Sequence, residues 1–65
     1  MKILYEFNST NYEIMLASID ISYKVFLLNR LTWLLSEFSF KEISDAKKLY
    51  DAFKSIAEIF SDQPN

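Results

Sequence analysis

The chain has 65 residues, of which 51% are hydrophobic and 17% aromatic, and its net charge is −2 with no glycine, cysteine or histidine. Without cysteine there are no disulfides or thiolate metal sites, and without histidine the commonest transition-metal ligand is missing. Phosphate-cradling loops of the Walker or dinucleotide type need glycine and are excluded too.

Residues 2–7 alternate so that Ile3, Tyr5 and Phe7 share one face, which predicts a short N-terminal strand or an ordered arm. Asn8-Ser9-Thr10-Asn11 is a turn cluster, and Thr10 with Glu13 three residues on fits a capping box. From there Tyr12, Met15, Leu16, Ile19, Tyr23 and Phe26 recur at helical steps, continued by Leu27, Leu28, Leu31, Leu34, Leu35 and Phe38. The spacing predicts a long helix over about 11–37. Its two halves point in directions about 90° apart at 100° per residue, so the helix either packs against different neighbours along its length or kinks near Asp20. Ile19 to Val25 also alternates with strand-like strictness, so residues 11–20 can be read as a hairpin strand paired with 2–7. The helical reading is the one that accounts for the whole run to Glu37.

Ser39 with Glu42, and Ser44 with Asp45, offer N-caps for a second helix over about 44–61. Leu49, Phe53, Ile56, Ala57 and Phe60 form its apolar stripe, and Lys47, Asp51, Lys54 and Glu58 form a solvated ladder opposite. The tail from Ser61 to Asn65 should fray. These elements give a single all-α domain, 1–65, built as an antiparallel helical hairpin.

The 21–38 segment carries apolar residues around most of a helix, more than one partner helix can cover. Ile21, Val25, Leu28 and Trp33 are therefore candidate interface residues, with Arg30 as an anchor pairing with Glu37 or with a partner's carboxylate. Two hairpins joined by a twofold would make a homodimeric four-helix bundle.

General bases are limited to carboxylates and lysines, and pairs such as Glu13 with Asp20 or Asp51 with Glu58 fall on solvated faces, so no catalysis is expected. No cofactor and no metal are expected either. The most apolar stretch, Val25 to Leu35, is too short to span a bilayer and contains Asn29 and Arg30. With no signal segment and no cysteine, the cytoplasm is the expected compartment.

What fits best is a small non-catalytic protein–protein interaction module, homo-oligomeric, acting as a stoichiometric regulator or inhibitor of a larger protein. Aromatic anchors such as Trp33, Phe40 and Tyr50 suit that role. The Lys, Ile, Asn and Phe usage is compatible with an accessory protein of a phage or mobile element. The alternative is nucleic-acid binding, because a dimer of helical hairpins resembles the Rop-like RNA-binding dimers in topology alone. The interleaving of Lys24, Arg30, Lys47, Lys48 and Lys54 with acids argues against it.

Overall fold

A computed structural model describes residues 1–61, apart from the side chains of Phe60 and Ser61. Four strands come first, β1 (Lys2–Asn8), β2 (Tyr12–Ile19), β3 (Ser22–Asn29) and β4 (Leu34–Phe40), followed by one helix, α1 (Ile43–Ser61). The strands form a single antiparallel sheet in sequential order, β1-β2-β3-β4. This overturns the all-α helical hairpin: the region read as an 11–37 helix is three strands and two turns. The four-helix bundle built on that hairpin falls with it. The hairpin-strand reading of residues 11–20 is the one that the fold adopts. The C-terminal helix lies where the periodicity puts it, and the tail expected to fray lies, from residue 62 on, outside the described residues.

Strand formation here follows from residue type. Tyr12, Ile14, Ile19, Tyr23, Val25 and Phe26 are β-branched or aromatic, and such side chains pack better on a pleated surface than against a helical turn. Their helical spacing arises because both faces of these strands carry apolar residues, so several periodicities are satisfied together. The supposed kink near Asp20 is the β2–β3 turn. Ile19 pairs with Ser22 and leaves a two-residue connection, with Asp20 at φ 53°. A left-handed residue is what such a hairpin needs, and aspartate tolerates it without glycine. Ser22 Oγ then donates to the Ile19 carbonyl at 3.1 Å.

The proposed capping box is also overturned. Glu13 lies in β2, and Ser9 orders the turn instead: its N–H donates to the Tyr12 carbonyl at 2.8 Å and its Oγ accepts from Tyr12 N–H at 3.1 Å.

Cross-strand register sorts the side chains. Phe7, Ile14 and Leu27 lie on one line across the sheet, and Leu16, Val25 and Phe38 on another. That face meets α1. Ile14, Leu16 and Val25 are fully buried, with Ala46, Tyr50 and Ala57 from the helix above them and Leu49 and Phe53 at the margin. The small Ala46 and Ala57 let the helix approach closely over β2 and β3. Towards β1 the Tyr5 and Tyr50 rings pack at 5.7 Å, and towards β4 Phe38 and Phe53 do the same at 5.7 Å.

Two measurements test this core. Leu16→Ala should lower unfolding stability by about 2–5 kcal/mol in urea titrations, whereas Leu35→Ala, on an exposed position, should cost less than about 1 kcal/mol. Burial raises the Tyr50 phenol above its ordinary 10.0, so the folded state holds this proton more tightly than the unfolded one. That contribution to stability is complete below pH 10 and is lost as pH rises through the raised value. Tyr50→Phe should flatten this alkaline fall, followed by circular dichroism.

Candidate protein-interaction surface

Among the described residues no layer covers the sheet face opposite the helix. Met15 pairs with Phe26 and Leu28 with Leu35 on this side. With Met1 and Glu13 they line a shallow, largely apolar groove of about 300 Å³. A smaller hollow of about 150 Å³ lies beside the helix between Tyr12, Leu27, Phe53, Ile56 and Ala57.

More apolar surface is exposed along β4 and the loop before it. Leu31, Trp33, Leu34, Leu35 and Phe38 are all exposed within eight consecutive residues, Trp33 at 73% and Leu34 at 67%. The loop is nevertheless firmly built. Asn29 Oδ1 accepts from the backbone N–H of Leu31 at 3.0 Å and of Thr32 at 3.4 Å, and Trp33 N–H donates to the Asn29 carbonyl at 2.7 Å. Arg30 N–H donates to the Asn11 carbonyl at 2.8 Å, tying this loop to the β1–β2 loop. Trp33 itself sits at φ 59°. A left-handed conformation disfavours a bulky residue by about 1–2 kcal/mol, so tryptophan is a poor choice here for folding alone.

The predicted interface residues scatter. Ile21 stands 96% exposed on the β2–β3 turn, at the far end of the sheet from Trp33. Val25 is in the core and unavailable to a partner. Leu28 lines the open-face groove. Trp33 is on the exposed loop beside Arg30. Arg30 does not pair with Glu37: its guanidinium donates to Glu13 and Asn8, both at 3.3 Å, while Glu37 accepts from Lys24 at 3.0 Å. Of the aromatic anchors, Tyr50 is buried and Phe40 half-buried, so both serve the fold. Sequence reasoning missed Leu34, Leu35 and Phe38 as surface residues, because a helical phase assigned them to a core stripe.

Electrostatics around this surface is local. Lys47–Asp51 at 2.7 Å and Lys54–Glu58 at 3.8 Å join the two pairs above, so among the described residues four of the seven cations face an acid. The Asp51 hydrogen bond raises the Lys47 ammonium above its ordinary value, and that ammonium also lies 4.9 Å from the Tyr5 ring centre. Both shifted groups belong to helix–sheet contacts. Among the described residues no cluster of three acids, histidines or cysteines could hold a metal ion, and no buried side-chain polar atom lacks a partner. No helix among them is long and apolar enough to cross a membrane.

No protein-family model, curated protein or solved structure matches this chain.

Trp33→Asn relieves the left-handed strain without the entropy of glycine, so it should leave stability unchanged or raise it by about 1 kcal/mol. A urea midpoint that falls by more than the equivalent of about 1 kcal/mol would show that Trp33 packs in the folded monomer.

Proposed function

We propose that this chain is a non-catalytic protein-binding module that self-associates through the outer side of β4 and acts stoichiometrically as a regulator or inhibitor of a larger protein. The exposed run of Leu31, Trp33, Leu34, Leu35 and Phe38 carries this reading. Exposed apolar surface marks interaction sites, and this run wraps the β4 edge, with Leu34 and Phe38 on the helix side and Leu35 on the open side. Tryptophan is among the residues that most often dominate interface energies. The strained, exposed Trp33 adds support, since folding gains little from it. Self-association also suits a domain this small, which has no disulfide to reinforce its core. A cysteine-free chain suits a reducing compartment such as the cytoplasm. The nucleic-acid alternative loses its topological basis with the helical hairpin, and the paired cations give it no other support.

Light scattering across a concentration series tests the reading. The wild type should approach twice the 7.7 kDa chain mass. Leu34→Lys places a charge on the patch at an exposed position and should keep the chain monomeric with unchanged circular dichroism. A wild type that stays at 7.7 kDa throughout overturns self-association.

A further inference from the structure

The two edges of the sheet differ in how they are guarded. β1 carries Lys2, and its register shifts between Ile3 and Tyr5, a bulge that interrupts the regular edge. Bulges and edge lysines are the usual means by which sheets avoid adding a foreign strand. β4 has neither. Its register with β3 runs without a shift from Tyr23–Phe40 to Asn29–Leu34, and it contains no lysine, arginine or proline. Its one charge, Glu37, is already held by Lys24. Six of its seven residues are exposed.

Resting on the self-association proposed above, we infer that a second copy of this chain adds antiparallel to β4 about a twofold axis through Ser36. This joins the sheets into one of eight strands, four from each copy. Two geometric facts select the register. Leu34, Ser36, Phe38 and Phe40 lie on the helix side and Leu35, Glu37 and Ser39 on the open side. Residues directly opposite in an antiparallel pair share a side, so a twofold perpendicular to the sheet must pass through a residue rather than between two. An axis through Glu37 sets that carboxylate against the partner's Glu37, and like charges directly opposite are destabilising. An axis through Leu35 leaves little overlap, and an axis through Phe38 sets Ser36 against the partner's Phe40 and leaves Leu34 outside the pairing. The axis through Ser36 sets Leu34 against the partner's Phe38 and Phe38 against the partner's Leu34, an apolar pair formed twice. It also places Leu35 beside the partner's Glu37.

Self-complementarity selects a second copy as occupant, because one twofold forms both Leu34–Phe38 pairs from the same edge. Trp33, Leu34, Leu35 and Phe38 of two molecules together expose roughly 1,000 Å², an upper limit on the side-chain area that the pairing buries and the low end for a specific interface. The strand's own backbone hydrogen bonds add to this.

The natural absence of cysteine makes the test clean. Ser36→Cys, Leu35→Cys and Lys2→Cys are prepared singly, oxidised in a glutathione buffer and followed on non-reducing gels. Opposed Cα atoms about 4.5–5.5 Å apart suit a disulfide. Ser36→Cys should form a covalent dimer at least about a hundredfold faster than Lys2→Cys, because paired thiols meet at a millimolar effective concentration. Leu35→Cys, which keeps the Glu37 charge, should be clearly slower than Ser36→Cys. Faster linking through Leu35→Cys overturns the register, and equal rates for Ser36→Cys and Lys2→Cys overturn the edge pairing. If the latter accompanies a dimer in light scattering, β4 pairing fails while self-association stands. A monomer without cross-linking removes both.

Discussion

A single helix is too narrow to cover a four-stranded sheet. An α-helix with its side chains is about 10–12 Å across. Four strands at about 4.8 Å spacing span nearly 20 Å with their edges. In this chain α1 lies over β2 and β3, where Ile14, Leu16 and Val25 are sealed from solvent. Everything else about the molecule is a response to the uncovered width.

The two flanks are filled differently. On the β1 side, Tyr5, Tyr50 and the Lys47 ammonium form a stack, with Lys54 lying 5.8 Å over the Phe7 ring. Long amphipathic side chains reach outward from the helix there over the aromatic rings of β1, although Tyr5 is still 43% exposed. On the β4 side the helix offers Phe53 to Phe38, and then its reach ends. Leu34 lies beyond it on the same side, whereas Leu35 points to the open side; both are exposed.

How much of this was legible in the sequence depends on the element. The C-terminal helix was readable because its face and its ladder separate: Leu49, Phe53 and Ala57 on one side, Lys47, Asp51 and Lys54 on another. The strand at 2–7 showed its alternation. The middle of the chain did not, for two physical reasons. Met15, Ile19, Phe26 and Leu28 put apolar residues on the uncovered face, which erases the polar half of the period-two signal. The turns also lack their usual chemistry, since Asp20 and Trp33 occupy left-handed positions where Asn-Gly or Gly is the ordinary marker. The signal the sequence does carry there is a run of β-branched and aromatic residues with alternation across Asp20. Of the interface residues, Trp33 is on the exposed side of the molecule, whereas Val25 could be seen as core only once the sheet was known.

The sequential strand order bears on kinetics as well as on shape. Every strand neighbour in space is a neighbour in sequence, and the connections are only a few residues long. Little loop-closure entropy has to be overcome before each pairing is rewarded, so the sheet has low contact order and belongs to the faster-folding β architectures. An apolar edge is most dangerous while a chain lingers half-formed. A meander of this kind keeps that interval short, which lessens the hazard that the β4 edge poses during folding.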